Sequence, residues 1–276
     1  PIMSPGGAWA NDPETSMTLK YVPQGIGADV IATQEGFTRE DVDRFAMTSH
    51  HRAAAAIRAG YFKNSIVPIR DQSGFLICDT DELVRADASL ETLGKLRPSF
   101  QALGEMGFDV IVQNQYDLPS INHVHTPGNS SGIVDGAALV LVGNEAIGKK
   151  LGLKPKGRVV STAVVGSDPC IMLTGPMPAT RKALKKAGLH VEDIDLFEVN
   201  EAFASVALKF AKDMGVSLDK INVNGGSIAM GHPLGVTGSM LVGTVLDELA
   251  RRNLRYGLCT ACVGAGMGIA TIVERL

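Results

Sequence analysis

The sequence lacks the features that mark several specialised classes of protein. It has no apolar run of about 18 residues, so no transmembrane helix is predicted. It carries 26 basic and 29 acidic side chains, a net charge of −3, which gives no electrostatic reason to expect nucleic acid or an anionic membrane as a partner. Its four cysteines are too few and too unevenly spaced for a disulfide framework. We therefore expect a reducing compartment and place the protein in the cytoplasm.

The chain also lacks an ordinary beginning. It starts PIMSPGGAW, with no initiator methionine and neither the charged nor the apolar segment of a signal peptide. We expect that residues upstream are missing, and a preceding targeting peptide stays open. The 45% of hydrophobic and 20% of charged residues are typical of a globular protein.

Regular structure is predicted most clearly from residue 136 onward. Apolar strand patterns alternate with helical ones, which indicates an α/β fold with helices covering a sheet. The predicted strands are 136–142, 158–166, 194–199, 221–223 and two around the glycines near 264; the helices begin near 144, 176, 200 and 237.

Two helix starts carry capping signals. We expect Asn200 to cap the helix over 200–215. An earlier helix of about 20 residues begins at Thr38 with a capping-box pattern. An irregular segment over 61–130 follows it, and its length favours a functional role.

The stretch CTACVGAGMGIA (259–270) allows several interpretations. A dinucleotide-binding loop would have to open a helix, whereas β-rich residues follow these glycines. Cys259 and Cys262 have no second pair with which to bind zinc, and three residues apart on a strand they face opposite sides. We therefore expect one inert thiol and one functional thiol rather than a pair.

Two other patterns suggest sites only weakly. GNSSG (128–132) matches a hydrolase nucleophile elbow, but an apolar strand rather than a helix is predicted after it. A turn that lets a ligand approach the backbone is the better interpretation. His123 and His125 share a face of an extended segment but lack a third ligand nearby, so no metal site is expected.

The pattern GGSIAMGHPLGVTG (225–238) is a stronger candidate. It places His232 in a glycine-rich loop between a strand and a helix, where the active sites of α/β proteins lie. Asn200, directly after another strand, either caps its helix or polarises a carbonyl at the same edge of the sheet. The alternative for His232 is an incidental histidine in a structural turn.

Taken together, these motifs resemble the thiolase family. The most specific matches are FEVNEAFA (197–204), NGGSIAMGHPLGVTG (224–238) and CVGAGMG (262–268), in the family's order and spacing. Agreement continues through SHHRAAAA (49–56), DELVRADASLETLGKLRPSF (81–100), GNSSGIVDGAA (128–138) and GPMPATRKAL (175–184). The resemblance covers essentially the whole chain.

The resemblance implies acyl transfer between CoA thioesters through a nucleophilic cysteine, with coenzyme A as a substrate and no cofactor. His232 would activate the nucleophile and bind the thioester oxygen, and Asn200 would hold the water of that oxyanion hole. Cys262 would be the acid and base at the α-carbon, with a thiol pKa near neutrality. The backbone N–H of Gly264 would serve a second oxyanion hole, where a side chain would crowd the thioester.

The resemblance also implies how coenzyme A is bound. Ser131 would contact pantetheine, Phe100 would pack against it, and Arg85 would face the adenine nucleotide. Acyl-CoA and CoA are thus the expected small-molecule partners.

The implied fold is a layered αβαβα arrangement whose N-terminal half is largely missing here. We divide the chain into a loop domain (1–133), a remnant of the N-terminal half (134–155) and the C-terminal half (156–276). The family leads us to expect a homodimer or a dimer of dimers.

One departure from the family pattern concerns the nucleophile. The nucleophilic cysteine of the family lies in a stretch with no counterpart here, since neither Cys78 nor Cys170 stands in its place. On this chain alone, the covalent step has no nucleophile.

A second departure is the segment 101–132, which is longer than usual for the family. It brings Tyr116, His123 and His125 near the expected acyl pocket. We expect it to shape a pocket for a bulky acyl chain.

The leading hypothesis is degradative cleavage of 3-ketoacyl-CoA by CoA, as in lipid or side-chain degradation. The alternatives are a biosynthetic thiolase that forms acetoacetyl-CoA and a non-catalytic acyl-CoA-binding subunit.

Overall fold

The computed structural model describes residues 12–276. The helices are α1 Pro13–Leu19, α2 Gln24–Glu35, α3 Arg39–Arg58, α4 Leu90–Gly94, α5 Gln101–Leu103, α6 Asp109–Tyr116, α7 Glu145–Lys150, α8 Pro176–Ala187, α9 Ala204–Met214, α10 Ser227–Met230 and α11 Thr237–Arg252. The strands are β1 Ile69–Arg70, β2 Leu76–Cys78, β3 Gly157–Gly166, β4 Leu196–Val199, β5 Tyr256–Val263 and β6 Met267–Arg275. The α/β class expected from the sequence is confirmed.

The main sheet has the strand order β3-β6-β5-β4. Strand β6 runs antiparallel to β3 and β5, whereas β4 and β5 are parallel, with Val199 opposite Thr260. Because two parallel strands end at the same edge, the residues that follow Val199 and Thr260 emerge side by side. That edge carries three of the motifs singled out in the sequence.

Helices cover both faces of this sheet. On one face, Phe210 of α9 shares a buried cluster with Phe197 of β4 and Leu258 of β5. On the other face, Val245 and Leu249 of α11 pack in a separate apolar cluster. The sheet is therefore buried between helical layers near the edge where β4 and β5 end.

The two cysteines of β5 lie in different surroundings. Cys259 belongs to the apolar cluster under α11, whereas its neighbour Leu258 belongs to the cluster on the other face, as the period-2 geometry of a strand requires. Cys262 packs against a third cluster, which contains Ala202 and Phe203. Both thiols are free, as expected for an unpaired C-x-x-C.

The strand expected at 136–142 does not form. Within residues 12–276 no other strand pairs with this segment, and Leu139 and Leu141 are exposed. An extended segment is stabilised only when its backbone groups find partners. The apolar pattern alone was therefore a misleading signal here.

The helix expected from Asn200 begins instead at Ala204. Phe203 occupies the capping position, so the prediction of Asn200 as a cap is wrong. Residues 200–203 precede this helix and contact the GNSSG turn, with Ser130 bridged to Phe203. The side chain of Asn200 has other partners, described below.

A buried ionic network fastens the segment before the GNSSG turn to α2. Asp29 accepts hydrogen bonds from the backbone N–H groups of Val124 and His125, and its oxygens lie 2.7 Å from a ring nitrogen of both His125 and His123. The other ring nitrogen of His123 lies 2.9 Å from Asp109. Both histidines are therefore bound to carboxylates, and in this structure they serve to anchor the chain.

The charge of His123 predicts a pH dependence of stability. Burial opposes its charge, but the hydrogen bonds to Asp29 and Asp109 outweigh burial and raise its pKa from 6.5 to about 9. The folded state then holds a proton that the unfolded state releases, so this stabilisation is complete below pH 6.5 and is lost as pH rises through about 9. Urea unfolding at several pH values should show that loss, and His123→Gln should flatten it.

The matched control is His51→Gln, because the ring of His51 contacts the carbonyl of Ala88 rather than a carboxylate. This variant should keep the wild-type slope between pH 6.5 and 9. Identical slopes for wild type and His123→Gln would contradict a protonated His123.

Candidate active site

Three loops meet at the edge of the sheet where β4 and β5 end. The Ser131 N–H donates to the carbonyl of Ala202 at 3.0 Å, which joins the GNSSG turn to the NEAF segment. The His232 N–H donates to the carbonyl of Gly132 at 2.9 Å, which joins the GHP loop to the same turn. Three motifs that are distant in sequence are thus connected by backbone hydrogen bonds.

The side chain of Asn200 has a fixed orientation at this edge. Its backbone N–H donates to the carbonyl of Thr260 on the neighbouring strand at 2.9 Å. Its Oδ1 accepts from the Ser227 hydroxyl at 2.6 Å, so its Nδ2 must be the amide end that faces His232 Nε2 at 3.2 Å. A buried amide is thereby presented as a hydrogen-bond donor.

His232 is held in one tautomer by Thr237. Asn200 Nδ2 can only donate, so His232 Nε2 accepts, and the neutral ring then carries its proton on Nδ1. Thr237 Oγ1, 2.6 Å from Nδ1, accepts that proton, and its own hydroxyl donates to the carbonyl of Pro233 at 3.1 Å. Burial lowers the pKa of His232, so the neutral ring is favoured at pH 7. This ring can accept a proton through Nε2.

Cys262 lies at the end of β5. It is half-buried, pairs across the hairpin with Gly268, and packs against the cluster that contains Ala202 and Phe203. Burial raises the pKa of its thiol from 9.0 to about 11. The sequence-based expectation of a thiol pKa near neutrality is wrong for this structure, because the site withdraws the sulfur from water.

The glycine turn after Cys262 depends on Gly266 more than on Gly264. Gly266 has φ 79°, and a Cβ on it would lie 2.5 Å from the carbonyl oxygen of Asp168. At Gly264 a Cβ would meet nothing nearer than Gln24 Nε2, at 3.7 Å. Nothing in the described chain demands glycine at 264, which leaves space beside its backbone.

Glu201 is a member of the site that the sequence analysis did not identify. Its buried carboxylate accepts hydrogen bonds from Ser49 Oγ at 2.7 Å, Asn222 Nδ2 at 2.8 Å and the Ile228 N–H at 3.0 Å. It thereby ties α3 and the loop before His232 to the NEAF segment. A charged residue directly after Asn200 in the motif FEVNEAFA was the available signal.

The residues expected to contact coenzyme A lie in different environments. Ser131 is half-buried, and Arg85 is exposed. The ring of Phe100 lies directly over Gly25, where a Cβ would overlap it, and makes an edge contact with Phe203 at 5.9 Å. Phe100 is therefore partly a core residue.

Tyr116, His123 and His125, in the long segment before GNSSG, make contacts that stabilise the fold. The Tyr116 hydroxyl donates to the Asp168 carboxylate at 2.9 Å, and His123 and His125 are bound to Asp29. In residues 12–276, none of these three side chains forms a hydrogen bond with Asn200 or His232. The acyl pocket expected from this segment stays a prediction.

Other interpretations gain no support from the geometry. The segment after GNSSG is not helical, which the hydrolase elbow would require. Among residues 12–276 no group of three or more histidine, cysteine or acidic side chains is placed to hold a metal ion. None of the helices in the described part of the chain has the length and apolar character needed to cross a membrane.

Comparison with known protein families supports the resemblance that the sequence motifs indicated. The family "Thiolase, C-terminal domain" matches residues 153–275, and the family "Thiolase, N-terminal domain" matches residues 13–107. The chain is 45% identical over 258 residues to a 3-ketoacyl-CoA thiolase of Serratia proteamaculans, covering 91% of this chain and 62% of that protein. It is 44% identical over 255 residues to an acetyl-CoA acetyltransferase of Thiocystis violacea, covering 91% and 60%.

Solved structures show the same likeness. The acetyl-CoA acetyltransferase of Bacillus anthracis superimposes with a TM-score of 0.81 at 37% identity, covering 92% of this chain and 60% of that one. Human mitochondrial 3-ketoacyl-CoA thiolase in complex with CoA gives 0.79 at 37% identity, covering 92% and 59%. The α/β architecture and the site define a thiolase-like fold. The chain belongs to the thiolase family and spans about 60% of the length of these relatives.

The tautomer of His232 can be tested directly. Thr237→Val removes the acceptor of the Nδ1 proton at nearly constant shape. The ratio of the Nδ1-protonated to the Nε2-protonated tautomer should therefore fall about tenfold, which corresponds to the loss of one hydrogen bond. Nitrogen-15 NMR of the imidazole measures the two tautomers. Thr180→Val is the matched control, because Thr180 is buried but its hydroxyl has no hydrogen-bond partner. An unchanged tautomer in Thr237→Val would contradict the assignment.

Proposed function

We propose that this chain carries the acid–base half of a thiolase active site, in a protein that cleaves 3-ketoacyl-CoA with CoA into acetyl-CoA and a shortened acyl-CoA. The observation that carries the proposal is the contact of Asn200 Nδ2 with His232 Nε2, each side chain being oriented by its own hydroxyl partner. The names of the relatives, 3-ketoacyl-CoA thiolase and acetyl-CoA acetyltransferase, agree with this chemistry.

His232 and Asn200 act on the thioester oxygen in this proposal. The Asn200 amide is a preoriented donor that binds a water or the oxyanion itself, in a buried place where such a donor is most effective. The neutral His232 accepts the proton of the attacking thiol through Nε2 and then donates from the same nitrogen to the developing oxyanion. Thr237 keeps the Nδ1 proton in place throughout.

Cys262 acts at the α-carbon. Cleavage of a 3-ketoacyl-CoA releases acetyl-CoA as an enolate, which must receive a proton. A thiol whose pKa is raised to about 11 is protonated at pH 7 and is therefore ready to donate. The space beside Gly264 would allow the enolate oxygen to accept a hydrogen bond from the backbone N–H of Gly264.

Neither Cys78 nor Cys170 suits the role of the acyl-accepting nucleophile. Cys78 lies on β2, in a two-stranded sheet separate from the main one, and donates its S–H to the carbonyl of Thr80. Burial raises the pKa of Cys170, which is the opposite of what activates a thiol. The proposal therefore assigns the role of nucleophile to neither of these two thiols.

Coenzyme A would be bound by the Ser131 turn, by the exposed edge of Phe100 and by Arg85. The family also leads us to propose a homodimer or a dimer of dimers. The small number of cysteines leads us to propose the cytoplasm as its location.

The degradative direction is part of the proposal. Comparison of kcat/KM for thiolysis of 3-ketoacyl-CoA with that for condensation of acetyl-CoA separates a degradative from a biosynthetic enzyme. Binding of acyl-CoA without turnover by the native protein would instead identify a non-catalytic subunit.

The two cysteines of β5 provide a matched test of the chemistry. Cys262→Ala should lower kcat for cleavage of acetoacetyl-CoA by about a hundredfold or more, because it removes the proton donor at the α-carbon. Cys259→Ala, three residues away in an apolar cluster, should change stability but leave kcat nearly unchanged. Equal effects of the two variants on kcat would refute the assigned role.

The role of Arg85 predicts a binding defect without a catalytic one. Arg85→Ala should raise the Kd for CoA several-fold, and the effect should shrink as salt screens the phosphate charges. Isothermal titration of the native protein measures this change. Arg58→Ala, which also removes an exposed arginine, is the control and should bind CoA as wild type does. Identical Kd values for both variants would exclude Arg85 from the binding site.

A further inference from the structure

Glu198 is a buried acidic residue to which the proposed reaction assigns no role. It lies on β4, two residues before Asn200, and is 3% exposed. Its neighbours on the strand, Phe197 and Val199, face the cluster under α9, so Glu198 points to the opposite face, toward α11. Among residues 12–276 no hydrogen-bond partner contacts its carboxyl group, which is costly for a buried polar group.

Glu198 lines a small cavity behind the site. The cavity has a volume of about 20 Å³, which suffices for one water molecule. Its lining also includes Ser227, Thr237 and Thr244. Because Ser227 orients Asn200 and Thr237 orients His232, the cavity touches the two hydroxyls on which the geometry of the site depends.

Both of these hydroxyls can accept a further hydrogen bond from the cavity side. Ser227 gives its only proton to Asn200 Oδ1, and Thr237 gives its only proton to the carbonyl of Pro233. What they can offer to the cavity is therefore a lone pair. If one water donates both of its protons to these two oxygens, it can only accept a hydrogen bond from Glu198. A protonated carboxyl group can donate that hydrogen bond, whereas an ionised carboxylate cannot.

The surroundings favour the protonated form of Glu198. Burial, and then the nearby acidic groups Glu201 and Glu248, raise its pKa well above 4.5. Arg251 and Arg252 of α11 are paired with Glu248, and within the described chain no positively charged group is among those that shift the pKa of Glu198. The remaining titratable group in electrostatic contact is the buried thiol of Cys259.

We propose that Glu198 is a positioning residue that, as a neutral carboxylic acid, donates a hydrogen bond to one water in this cavity. The water in turn donates its two protons to Ser227 Oγ and Thr237 Oγ1, and so locks the orientations of Asn200 and His232. No net proton transfer is required, since each proton stays on its donor. The inference concerns the site of the proposed function and rests on it.

The protonation state can be measured without any turnover. Infrared spectroscopy of the protein at pH 7 should show the carbonyl band of a buried protonated carboxylic acid, shifted by carbon-13 labelling of glutamate and missing in Glu198→Gln. Absence of that band in the wild type would mean that Glu198 is ionised and would overturn the proposal. Because this measurement needs no substrate, it reports the state of Glu198 even if the protein catalyses no acyl transfer.

Two variants separate positioning from bulk packing. Glu198→Gln keeps a neutral donor, so the His232 tautomer seen by nitrogen-15 NMR and the pH profile of kcat should stay as in wild type. Glu198→Leu keeps the volume but loses the donor, so kcat should fall about tenfold with little change in KM, as expected for one lost hydrogen bond. If Glu198→Leu fails to fold, the infrared band and Glu198→Gln decide. Full kcat in a folded Glu198→Leu, or a tenfold loss in Glu198→Gln, would overturn the proposal.

Discussion

The contact between Asn200 and His232 is the interaction on which the candidate site depends. The amide nitrogen and the imidazole nitrogen lie 3.2 Å apart. Ser227 fixes the amide and Thr237 fixes the ring tautomer, each through a hydroxyl whose single proton is already committed. Because the direction of each hydroxyl's hydrogen bond is fixed, the site presents one defined donor, the amide of Asn200, and one defined lone pair, on Nε2 of His232.

The rest of the fold brings these groups to one place. Parallel pairing of β4 and β5 puts the residues after Val199 and Thr260 at the same edge of the sheet. Backbone hydrogen bonds then attach the Ser131 turn to the NEAF segment and the His232 loop to that turn. Farther out, Asp29 anchors the extended segment that leads into the turn. The site is thus supported by buried polar contacts, which make its geometry precise.

Much of the local structure could be predicted from the sequence. Thr38 does open α3 with a capping box, because such a signal acts within a few residues. The fate of residues 136–142 could not be predicted, because a strand pattern forms a strand only where a neighbour pairs with it. The role of Asn200 as a hydrogen-bonding partner of His232, 32 residues away, was also beyond local signals, since only tertiary packing joins them.

The central claim is that Asn200 and His232 form the oxyanion-binding part of an acyl-transfer site. The most direct test is the steady-state rate of CoA-dependent cleavage of acetoacetyl-CoA by the native protein and by its Asn200→Ala variant. Removal of a preoriented donor should lower kcat by about a hundredfold while KM changes little. A folded Asn200→Ala protein with the wild-type kcat would contradict the account.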